Sequence, residues 1–498
     1  MPVDLMSMGV VVEYPWLSAL CAVGLALLCY MLHGSCARFS TITLLPVPPS
    51  ADILWGHEKA IFAGEPGRAL RRWFTLLGPT FRIRAALGAP DILVLSDPDA
   101  VSHILQKKIY DYHHSGVVRP RIARLLGRGL GWVEGEAEHK RMRQLVGPSL
   151  SGENIKVMAQ DIQDAASRAF LHDFEGGKST EAQQILSARR TGAKAITRYT
   201  SFVALMLLRR FPILNDLPIP VIQAHGLAKT TIQSGVAREM VRRNKDYVTG
   251  DHGKQTDLLS RLLLAVSQGK LSQTEMYDQV IAENMAGHDG TTTTVGFTIW
   301  ELARNPDVQD RLRAELSELG REPTYEDFLL RLPYLDAVLR EILRLYPALP
   351  YMERVATKPD VIPLAEPVIL QDGTTTRQVE ILPGQTVLIP IIAIHRLDSI
   401  WKEADEFRPE RWLTGLPPQD KLQSGWSNLL AFSEGPRNCI GAKFAMFQYK
   451  VILCGMITRF RFFEAEGTLS LRISSSLQPW IAGRSEEGPQ LPVRVEII

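Results

Sequence analysis

The clearest hydrophobic pattern runs from Pro333 to Tyr346. Leu335, Val338, Leu339, Ile342, Leu343 and Tyr346 recur at three- and four-residue spacing, which predicts an amphipathic helix. Pro333 suits its first position and Pro347 ends it. Glu341 and Arg344 then share one face, where such a pair is ordinarily a surface contact of little energetic value. A second helix is predicted from Ser272 to Asn305. Ser272 and Glu275 have capping-box spacing, and Pro306 closes the run. A helix of that length crosses a whole domain, at about 50 Å. Gly287 and Gly290 lie at its centre, each costing about 1 kcal/mol against alanine. Either something bulky approaches the backbone there, or the helix simply bends.

The third pattern is unbroken. Tyr14 to Leu32 carries no charge over nineteen residues, enough to span a bilayer once, with Trp16 and Tyr30 near its ends. A cleaved signal peptide fits less well, because the apolar run is long and no basic segment precedes it. Asp4 and Glu13 lie before the stretch and Arg38 after it, so the body is expected on the cytosolic side. The expected organisation is an anchor over 1–33, a proline-rich linker over 34–50 with Pro46, Pro48 and Pro49, and one body over 51–498.

Composition narrows the classes. The chain of 498 residues is 45% hydrophobic and 22% charged, which excludes wholesale disorder. A net charge of +2 argues against a nucleic-acid binder that works through bulk charge. The five cysteines make no disulfide framework: Cys21, Cys29 and Cys36 belong to the apolar N-terminus, leaving Cys439 and Cys454 for the body.

Cys439 has unusual surroundings. It lies in Phe432-Ser433-Glu434-Gly435-Pro436-Arg437-Asn438-Cys439-Ile440-Gly441, with a helical run from Ala442 onward. Flanking glycines permit a tight loop, and Arg437 with the following helix start favours a thiolate. Such a sulfur suits iron, including haem iron. Zinc would want a further Cys/His pair at ligand spacing, and a catalytic thiol would want a placed histidine.

These residues resemble the cytochrome P450 family. Phe432, Gly435, Arg437, Cys439 and Gly441 fill its Phe-x-x-Gly-x-Arg-x-Cys-x-Gly signature, and Glu341 with Arg344 match its Glu-x-x-Arg pair. Arg411, within Phe407-Arg408-Pro409-Glu410-Arg411-Trp412, resembles the arginine that completes a structural triad with that pair. Ala286-Gly287-His288-Asp289 sits where the oxygen-binding helix passes over the haem. The resemblance runs from about residue 46 to the end and points to the microsomal, fungal-type branch. It implies a mainly α fold with a smaller β portion, one N-terminal transmembrane helix and an endoplasmic reticulum membrane location.

The resemblance also implies roles. Cys439 would be the axial ligand of haem b. Arg437, Arg354, His139 and Arg143 would serve the haem propionates, with His139 standing where the family usually has Trp; Phe432 and Gly441 would shape the haem-binding loop. Asp289 would route protons to bound O2. The threonine that usually follows this acid is replaced by Gly290, with Thr291 next. One step along a helix turns a side chain by about 100°, so Thr291 is no simple substitute. Water or a substrate hydroxyl could complete the relay, or the reaction could be an isomerisation or dehydration that needs no external electrons. The substrate pocket would include Met285, Ala286, Ala348, Leu349, Tyr351 and residues near Leu477. Lys140, Arg141, Lys443 and Lys450, with Arg437, would face an NADPH-dependent reductase, and Val203–Leu208 with Phe211 and Pro212 would either touch the membrane or form a plain buried helix. The polar, basic stretch from Glu175 to Phe202 departs from the family, and the interval from Arg143 to Asp289 reads as short by one or two helices. A genuine deletion and a mis-joined coding sequence both account for this, and an inert haem-binding remnant is the corresponding functional alternative. The expected activity is insertion of one oxygen atom from O2 into a lipophilic molecule, in secondary metabolism or detoxification.

Overall fold

The computed structural model describes residues 41–174, 187, 190–216, 229 and 257–498. The apolar stretch read as an anchor and residues 175–186 of the polar segment lie outside the described residues, as does the side chain of Met285. Among the described residues no helix is long and apolar enough to cross a membrane.

The longer helices that position the site are α1 (Arg68–Leu77), α2 (Val118–Leu125), α3 (Glu136–Val146), α4 (Ala159–Phe174), α5 (Tyr199–Arg210), α6 (Leu258–Ser267), α7 (Gln273–Arg304), α8 (Pro333–Leu345) and α9 (Ala442–Ile457). The strands are β1 (Thr80–Ile83), β2 (Ile92–Leu95), β3 (Tyr112–His113), β4 (Met352–Ala356), β5 (Asp360–Ile369), β6 (Thr375–Ile381), β7 (Thr386–Ile389), β8 (Phe460–Glu464), β9 (Leu469–Ile473), β10 (Leu477–Ile481) and β11 (Val493–Ile497). Five of them form a sheet in the order β1-β2-β7-β4-β3, with β2 and β7 parallel and the other neighbours antiparallel. The other six make three antiparallel pairs, β5 with β6, β8 with β11 and β9 with β10.

Helix α7 begins on the capping box read from the sequence, Ser272 and Glu275 each satisfying the other's backbone N–H. It runs against α9 and α8, and the main core forms where they meet. Ile299 and Leu302 of α7, Leu335 and Leu339 of α8, and Leu453 and Ile457 of α9 are buried together there. Helix α8 buries its apolar stripe as its periodicity predicts, and Pro333 stands at its N-terminal end. Glu341 and Arg344 lie inside rather than on the surface, both fully buried.

The residues expected to form a free proline spacer are partly built into the body. Ile42 and Leu45 are buried against Leu93, Leu95 and Val101. The Pro46 carbonyl accepts from the Arg82 amide at 3.0 Å, and the Pro48 carbonyl bonds the His57 ring at 2.9 Å. The folded body therefore includes residues before 51. In α5, Phe202, Met206 and Leu208 are buried while Tyr199 and Leu207 stay exposed, so the helix packs one face and leaves apolar side chains outside.

Candidate active site at the Cys439 loop

The loop's shape follows from its glycines. Gly435 has φ +70°, and a Cβ there would lie 2.2 Å from the Leu105 carbonyl oxygen, so no other residue fits. The Cys439 amide donates to the Phe432 carbonyl at 2.8 Å, and the Trp426 ring meets Phe432 edge-on with centroids 5.5 Å apart. Cys439 is exposed. Helix α9 starts three residues later at Ala442, so its unpaired N–H groups and positive end lie close along the chain. From α3, Arg143 reaches across and donates to the Asn438 carbonyl at 2.8 Å and to its side-chain oxygen at 2.6 Å. Burial lowers the pKa of Arg143, against which the charge of Cys439 favours its cationic form. Arg143 thus braces the residue next to the sulfur.

Beside the loop lies a cluster of buried cations. Arg354 pairs in register with Val387 at the centre of the sheet and points inward. Its Nε and Nη1 are buried without a hydrogen-bond partner among the described residues. Burial first, then the Arg437 charge, pushes its pKa down to about 10, which leaves it protonated at neutral pH. Arg437 donates to the Val133 carbonyl at 2.8 Å and pairs with Glu134 at 3.2 Å, while its Nε is buried and unpartnered. His139 is buried, with Nδ1 3.1 Å from the Tyr110 hydroxyl; burial, Arg437 and Arg143 lower its pKa to about 4. His114 bonds Glu134 at 2.6 Å. Burial raises the Glu134 pKa, yet the His114 and Arg437 contacts outweigh it and hold the carboxyl at about 2. Burial and Arg354 hold His114 itself at about 4.

The centre of α7 supplies open backbone. A Cβ added at Gly287 or Gly290 would meet nothing within 4 Å, and the same holds at Gly441. Asp289 is half-buried and accepts from the Ser475 hydroxyl at 3.2 Å, which ties the β9–β10 turn to α7. Thr291 points elsewhere: it is buried, and its hydroxyl has no partner among the described residues. The Thr294 hydroxyl returns to the Gly290 carbonyl at 2.7 Å.

Behind the loop, Arg344 makes a bidentate pair with Glu341 at 2.9 and 2.8 Å and donates to the carbonyls of His395, Ala404 and Glu406. Arg411 and the Trp412 indole also donate to Glu341, at 2.9 and 3.0 Å. Both arginines therefore fasten the segment that leads into the loop.

Other expected residues are placed differently. Lys450 does not join a basic surface: it is buried, bonded to the Phe328 carbonyl at 2.8 Å and to Asp336 at 2.9 Å. Lys443 is exposed, while Lys140 and Arg141 engage Glu136, Glu138 and Glu275. Leu477 is fully buried against Phe297, Ile342 and Ile392, which leaves it no surface for a ligand; its amide bonds the Ala348 carbonyl. Tyr351 accepts from the Gly67 amide at 2.7 Å, and Leu349 and Ala286 are exposed. A cleft of about 680 Å³ runs along the outer side of the loop, between Arg143, Trp426, Phe432, Cys439, Lys443 and Met446.

The cytochrome P450 family profile matches residues 180–477, more than half of the chain and including the Cys439 loop. This chain belongs to the cytochrome P450 family. Cytochrome P450 monooxygenase claO of Ampulloclitocybe clavipes is 30% identical to it, over 93% of this chain and 95% of that protein. Cytochrome P450 monooxygenase claQ of the same fungus is 28% identical over the same shares. Cytochrome P450 monooxygenase 128 of Postia placenta is 27% identical, over 91% of this chain and 92% of that protein. The alignment with claQ has 512 positions, more than the 498 residues of this P450, so that relative carries residues without a counterpart here.

As a P450 the protein takes haem iron, dioxygen, a small-molecule substrate and a redox partner. The residues present fit the cofactor. Orphaned cationic donors on Arg354 and Arg437 suit anionic propionates. The backbone at Gly287, Gly290 and Gly441 leaves space for a large planar group. Among the described residues no group of three or more His, Cys, Asp or Glu side chains could hold a bare metal ion. Tyr110, His114, Glu134 and Asn438 escaped the sequence reading. They act through contacts between distant segments; Asn438 fills an unspecified position of the Cys439 signature, and the other three belong to no spaced motif.

Proposed function

We propose that this P450 is a membrane-anchored haem-thiolate monooxygenase that inserts one oxygen atom from O2 into a lipophilic molecule, in secondary metabolism or detoxification. The observation that carries this reading is the convergence of an exposed, glycine-shaped Cys439 loop with two buried arginines whose donors lack partners. Bound haem supplies dioxygen activation and one-electron chemistry. Cys439 would supply the thiolate that holds the haem iron, and Arg143 holds Asn438 so that the loop keeps its shape. Arg354, Arg437 and His139 would neutralise or bond the propionates of a bound haem, and Phe432 and Gly441 would shape the loop that holds it. Asp289, oriented by the Ser475 hydroxyl, accepts and releases protons at its carboxylate oxygens. The open space at Gly290 admits a water or a substrate hydroxyl where the family's usual threonine would stand. Thr291, on another face of α7, takes no part in that step.

Electrons come from NADPH through a reductase that meets the face carrying Lys140, Arg141 and Lys443, beside the cleft outside the Cys439 loop. The apolar stretch 14–32 anchors the chain in the endoplasmic reticulum membrane, with the catalytic body in the cytosol. The test is turnover with reductase, NADPH and 18O2 over a panel of terpenes, alcohols and fatty acids. The expected product is two mass units heavier than that from 16O2. Product that lacks the label, or that forms without NADPH, would contradict a monooxygenase and favour isomerisation or dehydration.

A further inference from the structure

Helix α2 is short and cationic. Its sequence is Val118-Arg119-Pro120-Arg121-Ile122-Ala123-Arg124-Leu125, and every residue in it is half-buried, none exposed and none fully enclosed. Arg119 is accounted for: its guanidinium lies over the Trp132 ring at 4.1 Å. Arg121 and Arg124 are not. Three residues apart, they stand on one face of the helix.

Arg121 donates through Nη2 to the Ser474 carbonyl, in the β9–β10 turn. The next residue of that turn, Ser475, bonds Asp289 at 3.2 Å. A continuous path of contacts therefore leads from Arg121 to Asp289 on α7. Arg121 is half-buried against the β9–β10 turn. Arg124 donates to the Asn215 side-chain oxygen at 3.2 Å, and its Nε is buried with no partner. Among the described residues no carboxylate pairs with either arginine. Burial first, then the like charge of Arg124, pushes the pKa of Arg121 down to about 10. Two half-buried guanidinium groups on one face, with no carboxylate partner among the described residues, are costly to keep.

We propose that Arg121 and Arg124 form an anion subsite in the substrate cavity, so that the preferred substrates are lipophilic carboxylic acids. A planar guanidinium matches a carboxylate with two parallel hydrogen bonds, and an enclosed setting strengthens them. The carboxylate sits on the arginines, and the apolar body extends along the β9–β10 turn toward Asp289. This assignment rests on the monooxygenase reading above, because it takes the space beside Asp289 as the substrate's.

The test compares acid with ester by isothermal titration calorimetry on the haem-loaded full chain. The probes are dodecanoic acid against methyl dodecanoate, and the rigid dehydroabietic acid against its methyl ester. In the wild type, at least one acid should bind ten to a hundred times more tightly than its ester, the range for a charge-assisted pair. R121Q should bring that ratio within about twofold, R124Q should lower it less, and R121K should keep part of it. Equal binding of acid and ester by the wild type, no binding of either acid, or an unchanged ratio in R121Q would each overturn the subsite. A carbon-monoxide difference spectrum on the same preparations separates the two claims. With the thiolate-type band present, a failed ratio removes the subsite alone. With that band absent from the wild type, the haem-thiolate reading falls, while the calorimetric ratio still decides the subsite.

Discussion

At the residue scale the buried charges make the sharpest predictions. Arg354 carries unpaired donors inside the protein, and an unsatisfied buried polar group costs about 1–3 kcal/mol. R354L should therefore leave the haem-free protein no less stable to urea, while haem transfer to an acceptor protein speeds up by about tenfold or more. Equal transfer rates would mean that Arg354 meets no propionate. The histidines set the acid limb of stability. His114 and His139 are both held at about 4 in the fold against an ordinary value of 6.5. Below 6.5 the unfolded chain takes up protons that the folded one refuses, so stability present above 6.5 is lost as pH falls toward 4. Glu134, held at about 2, adds a further loss as pH falls from about 4.5 toward 2. Urea midpoints should be flat above pH 7 and fall between pH 6.5 and 4, by up to about 1.4 kcal/mol per pH unit for each proton linked. H139Q should make that fall shallower. A midpoint independent of pH from 7 to 4.5 would contradict the buried, neutral state of these rings.

At the element scale, helices with their own local signals were readable from sequence. The capping box and Pro306 bracket α7, and Pro333 with the apolar stripe defines α8. What tertiary packing decides was not readable. Taken alone, Glu-x-x-Arg reads as a surface pair, and only the family resemblance supplied the triad with Arg411; α8 turns the pair inward because Arg408, Arg411 and Trp412 arrive from a distant segment to satisfy Glu341. The same packing turns Lys450 into the core and Leu477 away from the cavity, since a one-dimensional pattern does not say which neighbour covers which face. E341Q leaves two arginines against a neutral amide, one of them fully buried, and should cost about 3–5 kcal/mol, seen as lower soluble yield and an earlier urea midpoint. In the Cys439 loop, G435A should fail to load haem, because the added methyl would overlap the Leu105 carbonyl. G287A should instead be tolerated or slightly stabilising in the haem-free protein, by up to about 1 kcal/mol of helix propensity. Loss of haem retention in that variant would show that the cofactor fills the open space beside α7. Unchanged retention would place it elsewhere.

At the scale of the whole molecule, a five-stranded sheet and the α7–α8–α9 core hold Arg354, Asp289 and the Cys439 loop in position. Residues 42–48 are bound onto this body, so a chain tethered before residue 41 would be held at a fixed point on its surface rather than by a free spacer. The central claim is that this body binds haem through Cys439. The most direct test is the reduced carbon-monoxide difference spectrum of the wild type beside C439S. The account predicts the red-shifted Soret band of thiolate-ligated ferrous haem in the wild type and its loss in C439S. A wild type without that band, or a C439S variant that keeps it, would contradict the account.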